Sequence, residues 1–296
     1  MVDRFDVSLA NRAAPGAADL GVRLWSLPRD VLDGGSADDV AAALGPRFIG
    51  HVAMATDANS LVAIGHVAEH ELQVWCGSAQ QLNRVTEFAA PVPAGGLVSL
   101  IKFRNEWHLF ARSEHGRSSH LVSTDLCEWS HLTQLVSSFP AFAVSGVVVG
   151  DDELLLAGRV FVDNTAFGWG LLRSDGRNFE ARPVPLPLAT QLGVVGPVVN
   201  HAGNTVLLLD SGRNRTIATS AGLGWALGML VPDVTPVAAF AHGADLWTVG
   251  HHNLTGVPSL AKVTGERVIA LPAGDHAGRV RAALVHADHL VVARES

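Results

Sequence analysis

The sequence predicts an all-β fold, a six-bladed β-propeller with four-stranded blades, and three observations predict it. First, a small residue followed by a charged or imidazole one closes a short apolar run at Gly65-His66, Ala111-Arg112, Gly158-Arg159, Gly250-His251 and Ala293-Arg294. Leu209-Asp210 holds the corresponding place in the fourth unit, with a larger first residue. Successive pairs lie 46, 47, 51, 41 and 43 residues apart, and a period in the forties built from short strands is the mark of propeller blades. Second, each unit holds short apolar runs bounded by Gly, Asn and Asp, which are hairpin signals. Third, the sixth unit stops just after its second strand, at Ser296. Its outer strands must then come from the N-terminal part of the chain, which removes exposed sheet edges.

Read in order, residues 1–35 supply the closing strands of the last blade, from segments 5–10 and 22–27. Residues 36–46 read as a short helix and linker, with Ser36 as N-cap and Pro46 at its end. Residues 47–296 are the blades, and the whole chain is one domain. The first hairpin of each blade turns at Asp57-Ala58-Asn59, Arg104-Asn105-Glu106, Gly150-Asp151-Asp152, His201-Ala202-Gly203, His242-Gly243-Ala244 and His286-Ala287-Asp288. Small residues such as Ala53, Ser99, Gly146 and Ala238 suit the first strand of a blade, where strands crowd towards the axis. The segment 161–169 lengthens the third unit and reads as a lid over the axis or as packing on the fourth blade.

Composition bounds the function. A hydrophobic content of 48% is ample for a large core. The net charge of −7 and the lack of a Lys/Arg-dense run argue against nucleic acid as a partner. No apolar run reaches the eighteen or so residues of a membrane span. The charged start, Met1-Val2-Asp3-Arg4-Phe5-Asp6, lacks an apolar signal core, and two cysteines are too few for a disulfide framework. Both observations lead us to expect a cytoplasmic protein.

The segment Ser123-Thr124-Asp125-Leu126-Cys127-Glu128-Trp129 resembles the Asp-box turn of sialidase-type propellers and a similar turn in furanosidase-type glycoside hydrolases. Degenerate copies stand at Ser174-Asp175-Gly176-Arg177-Asn178-Phe179 and Thr219-Ser220-Ala221-Gly222-Leu223-Gly224-Trp225. The Asp and Ser oxygens of such a box accept backbone N–H bonds and its aromatic packs between sheets. The resemblance implies the fold and not the activity. Sialidases use a tyrosine nucleophile, and this chain has no tyrosine. The furanosidase-type enzymes need carboxylates at the starts of inner strands, where this chain has His51, Leu97, Val144 and Arg279.

In a propeller the loops around the axis on one face form the pocket. The residues expected there are His51, His66 and His251 as proton-transfer groups, with Arg112, Arg159, Arg279, Arg281, Arg294, Asp210 and His115 as substrate-binding groups. Arginines clamp carboxylate, phosphate or sulfate, and a histidine moves protons near neutral pH. This points to an enzyme of hydrolase or lyase and cyclase type acting on a small anionic or sugar-like molecule. One alternative is a binding module without chemistry. Another is a metalloenzyme in which His51, His66 and His251 hold a divalent ion. The seven tryptophans do not share one blade position, which favours inter-blade core over repeated sugar platforms.

Overall fold

The computed structural model describes residues 21–35, 42–113, 116–162, 165–182, 194–210, 215–221, 224–229, 234–252, 254–263, 268–271 and 278–295. Its strands form five sheets, all built from antiparallel neighbours. One is seven-stranded and combines β1 (Val22–Pro28), β2 (Ala42–Asp57), β3 (Ser60–Ala68), β4 (Glu71–Gly77) and β5 (Leu82–Ala89) with the last two strands of the chain. The four-stranded sheets follow the chain. They are β6 (Leu97–Phe103), β7 (Glu106–Arg112), β8 (Ser118–Ser123) and β9 (Ser130–Leu132), with α1 (Gln134–Ser138) after them. Next come β10 (Phe142–Val149), β11 (Leu154–Val162), β12 (Thr165–Ser174) and β13 (Phe179–Arg182). Then β14 (Val194–His201), β15 (Asn204–Asp210), β16 (Arg215–Ala221) and β17 (Gly224–Met229). Last of these are β18 (Val234–His242), β19 (Asp245–His252), β20 (Pro258–Lys262) and β21 (Val268–Ala270). The chain closes with β22 (Val280–His286) and β23 (His289–Glu295).

The seven-stranded sheet is divided in function by β2. Residues 42–48 of β2 pair with β1, while residues 49–57 pair with β3. In turn β1 pairs along its whole length with β23, from Val22 opposite Glu295 to Pro28 opposite His289. Residues 22–27 thus pair with the last strand of the chain, and residues 42–48 pair with them in turn; segment 5–10 lies outside the described residues. The expected helix over 36–46 is corrected: residues 42–46 are strand, and Ser36 lies outside the described residues. Ladder bonds to Leu24, Trp25 and Ser26 override the helical propensity of the alanines, and Gly45-Pro46 sit in the bulge where the register shifts.

Each first strand touches the next around a circuit: β2 with β6, β6 with β10, β10 with β14, β14 with β18, β18 with β22, and β22 with β2. The core lies between neighbouring sheets. Trp107 packs with Leu72, Val74 and Leu100 between the first two hairpin units, and Trp247 packs with Leu27, Val249 and Leu290 at the closure. Both tryptophans are buried, as expected of inter-sheet core. The six expected hairpin turns are all present. Segment 161–169 is not a free-standing lid: apart from 163–164, which lie outside the described residues, it extends β11 and β12, and Trp169 is buried opposite Arg159. The Ser123 and Asp125 turn is held by its side chains. Ser123 Oγ accepts from Leu126 N at 2.9 Å, and Asp125 Oδ1 accepts from Cys127 N and Glu128 N at 2.8 and 3.1 Å. Ser174 and Asp175 repeat the pattern with Gly176 N, Arg177 N and Asn178 N.

Candidate functional site

All six first hairpins share one irregularity. Their register shifts near the start of the first strand, between Ile49 and Val52, Leu97 and Ser99, Val144 and Gly146, Val195 and Val198, Pro236 and Ala238, and Val280 and Ala282. A bulge leaves a residue unpaired and re-aims its side chain. The residues so released include His51, Val98, Ser145, Val237 and Arg281. These five line a cavity of about 560 Å³ at the starts of the first strands, and also its continuation of about 390 Å³ along the axis. The deeper part is walled by Ala53, Ser99, Gly146 and Ala238, the small residues expected there.

The recurring small residue is explained by the same bulge. A Cβ on Gly250 would stand 1.7 Å from the carbonyl oxygen of Thr235, and one on Gly158 would stand 2.4 Å from that of Ala143. On Gly65 it would meet the Phe48 ring at 2.4 Å. At three of the repeats the polar residue that follows reaches across to the next unit. His66 Nε2–H donates to Val92 O at 2.8 Å, Arg112 Nε–H donates to Val144 O at 2.9 Å, and Val280 N–H donates to His251 Nε2 at 2.9 Å. At His66, Arg112 and His251 the sequence repeat therefore marks inter-sheet staples.

Of the expected site residues, His51, His251, Arg112, Arg279 and Arg281 line the cavity. His66 does not; its ring is fully buried between sheets, where its bond to Val92 O holds it. Arg294 is 6% exposed and lies outside the lining, as does Arg159. The backbone of Asp210 ends β15, while its side chain and all of His115 lie outside the described residues. The reading missed Ser145, Val98, Val237, Thr235, Gly95 and Gly256, which also line the cavity. For Ser145, Val98 and Val237 no signal was present, because a bulge adds one residue to one strand without a compositional marker.

The electrostatics differ among the histidines. His51 Nδ1–H donates to Leu97 O at 3.3 Å, which leaves Nε2 as a lone pair. Burial, then the Arg281 guanidinium, lowers its pKa to about 4. His251 is also lowered, first by burial and then by Arg279 and Arg281, but its Nε2 already accepts from Val280 N–H. Arg281 is ion-paired with Glu295. Arg112, lowered first by burial and then by the charge of Arg159, also donates from Nη2 to Ser145 Oγ at 3.2 Å. No carboxylate lines the cavity among the described residues. Nor, among them, does any group of three or more His, Cys, Asp and Glu stand together as metal ligands. The arrangement offers a neutral imidazole acceptor beside guanidinium donors, a set suited to holding an oxygen-rich molecule by hydrogen bonds.

No known family's sequence model matches the chain, and no curated protein matches it in sequence. Its backbone is similar to that of a mutant Aleuria aurantia lectin in complex with α-methyl-L-fucoside, at a TM-score of 0.57 and 12% identity, over 80% of this chain and 85% of the lectin. A mutant Trypanosoma rangeli sialidase displaying trans-sialidase activity matches at 0.55 and 11% identity, over 91% of this chain. This chain spans only 57% of that sialidase. The β-propeller domain of the Trilobed protease from Pyrococcus furiosus matches at 0.50 and 12% identity, over 78% and 70% of the two chains. Glycoside hydrolases of families 43 and 117 are also structural neighbours, and this chain spans 54% of one of them, GH43B of Bacteroides ovatus. At such identities the likeness shows fold alone: the chain is an all-β protein of the β-propeller kind, as are that sialidase and that protease domain.

Proposed function

We propose that this chain is a single-domain six-bladed propeller that binds a small anionic or carbohydrate-like molecule over its axis and transfers a proton to His51. The six-blade reading is supported by the division of β2 between two pairing partners and by the circuit of first-strand contacts. The turns at Ser123-Asp125 and Ser174-Asp175 are read as Asp boxes from their hydrogen bonds. The two free cysteines agree with a reducing, cytoplasmic setting.

One observation carries the functional reading: His51, a neutral imidazole with its Nδ1 proton committed to Leu97 O, lines the cavity together with Arg112, Arg279 and Arg281. In this reading the guanidiniums orient the substrate and His51 Nε2 takes the proton, in a hydrolase or a lyase and cyclase type of reaction. Paired-carboxylate glycoside hydrolysis is not part of it, because the described lining offers no carboxylates. The same observation favours a second reading, a binding module without chemistry, to which the likeness to a fucoside-binding lectin lends support. The metal reading is weakest, since His66 lies outside the cavity lining with Nε2 bonded to Val92 O, and His251 Nε2 is engaged.

Calorimetric titration with neutral sugars, uronates and sugar phosphates, followed by turnover assays on every binder, tests the proposal. We expect His51→Gln to keep binding and to lose turnover by about 10²-fold or more, the usual worth of a positioned base. Undiminished turnover in that variant would overturn the role of His51. Binding without turnover of any member would leave the binding module.

A further inference from the structure

The two parts of the axial cavity offer different chemistry. The mouth is lined by the guanidiniums of Arg112, Arg279 and Arg281, and of these only Arg281 is ion-paired among the described residues. The deeper part, of about 390 Å³, shares His51 and Arg281 with the mouth and has no other titratable side chain among the described residues. Unbroken runs of residues front it: Val52 to Met54, Ser99 to Ile101, Ser145 to Val147 and Arg281 to Ala283. Successive side chains of a strand point to opposite faces, so a run without gaps means that each strand presents its edge. Those edges are open. The strands β6, β10, β14, β18 and β22 each stand at the end of their sheet, and residues 49–57 of β2 pair with β3 alone. An open edge leaves the N–H and C=O of alternate residues unpaired. The deep part is therefore walled by peptide donors and acceptors that need partners. Three residues at about 3.3 Å each give it about 10 Å of depth.

We infer that the molecule bound over the axis is an open-chain polyhydroxy acid, with its carboxylate at the mouth and its hydroxylated carbons running down between the open strand edges. This deepens the reading of the axial site given above and rests on it. The charge belongs at the mouth because the guanidiniums are there and no carboxylate lines it among the described residues. Hydroxyls suit the deep part because each both donates and accepts, as the peptide edges do. An alkyl chain would displace water from those peptide groups and give them nothing to bond. A sugar ring would meet the edges at one level, whereas a chain of hydroxyls follows them along the axis. His51 lines both parts and so stands where head and chain join.

Gluconate, glucuronate, hexanoate and sorbitol, all built on the same number of carbons, test the inference by calorimetric titration at pH 8 and constant ionic strength. Glucuronate keeps the charge and closes the ring, hexanoate keeps the charge without hydroxyls, and sorbitol keeps the hydroxyls without charge. We expect gluconate to bind at least about tenfold more tightly than each of the others, the worth of one or two net hydrogen bonds. Ser99 lines the deep part and not the mouth. Ser99→Leu, which adds bulk there, should erase the preference for gluconate over hexanoate, and Ser99→Ala should keep it; melting curves of both variants verify folding. Gluconate binding no better than hexanoate or glucuronate, or an unchanged preference in a folded Ser99→Leu, would each overturn the inference. If neutral sugars, uronates or sugar phosphates bind and turn over while gluconate has no advantage, the open-chain assignment alone falls. If no ligand of any kind binds, the axial reading falls with it.

Discussion

Val280 N–H donates to His251 Nε2 at 2.9 Å. That bond joins the exit of β19 to the start of β22 and requires His251 to be unprotonated at Nε2. The lone pair that a general base would use is already engaged in holding two sheets together. His51, which lies on the same cavity, has the opposite arrangement, with Nδ1 committed and Nε2 open. Two histidines that look alike in sequence thus divide into a staple and a candidate base.

From this division, His251→Ala should lower stability by about 1–3 kcal/mol, because the Val280 N–H loses its acceptor. His51→Gln should change the melting temperature much less, since its bond to Leu97 O is long and peripheral to the cores. Differential scanning calorimetry of both variants measures the contrast. A larger loss for His51→Gln would reverse the assignment.

Acid should destabilise the protein through its buried imidazoles. His120 is fully buried, stacked on Phe110 at 4.3 Å, and its Nε2 lies 3.0 Å from His108 Nδ1. Burial foremost, then the charges of His108, Arg177 and His131, lowers its pKa to about 3. The folded value lies below the unfolded value near 6.5, so the unfolded chain binds more protons between them and stability falls as pH drops through that window. Above pH 6.5 the contribution is fully present. His120→Phe should flatten the decline in melting temperature between pH 7 and pH 4; an unaltered slope would remove His120 as its source.

Gly250→Ala should be among the most damaging single substitutions. Its Cβ would meet the Thr235 carbonyl and backbone, which cannot rotate away as a side chain does. Gly203→Ala meets no atom within 4 Å and carries only the strain of a φ of +75°. Expression and melting curves should rank Gly250→Ala well below Gly203→Ala, and similar values for the two would refute the bulge-based explanation of the repeat.

Asp125→Ala should lower the melting temperature at neutral pH, because Cys127 N–H and Glu128 N–H lose their shared acceptor. Those bonds hold the Asp125 carboxyl below the usual carboxylate range. Their contribution is present above the unfolded value near 3.8 and is lost as pH falls through the depressed folded value. Variant and parent should therefore converge in acid, and a gap that persists there would point to a different cause.

Much of the fold was legible because repetition multiplies weak signals. Pairs such as Gly158-Arg159 and turns such as Ala202-Gly203 recur at one period, and the structure has strands and turns at those places. The helix expected over 36–46 failed because local propensity near Ala42 and Ala43 carries no trace of β1, the preceding strand, whose Ser26 and Trp25 pair with them. The site was half legible. Strand-end arithmetic found Arg112 and His251 but gave His66 the same standing, since it counts positions and cannot see that one ring turns inward to Val92 O. Ser145 was invisible because nothing in Val144-Ser145-Gly146 marks the middle residue as skipped by the ladder.

The bulges separate two tasks that one strand otherwise performs together. The residues on either side of each skip, such as Val52 and Ile49 or Ala282 and Val280, keep the ladder and the packing between sheets. The skipped ones, His51 and Arg281 among them, are free of the first-hairpin ladder and face the axial cavity. A substitution there can therefore change the lining one position at a time while the ladder is kept by its neighbours. In such an architecture the lining of the axis and the shape of the backbone answer to different residues.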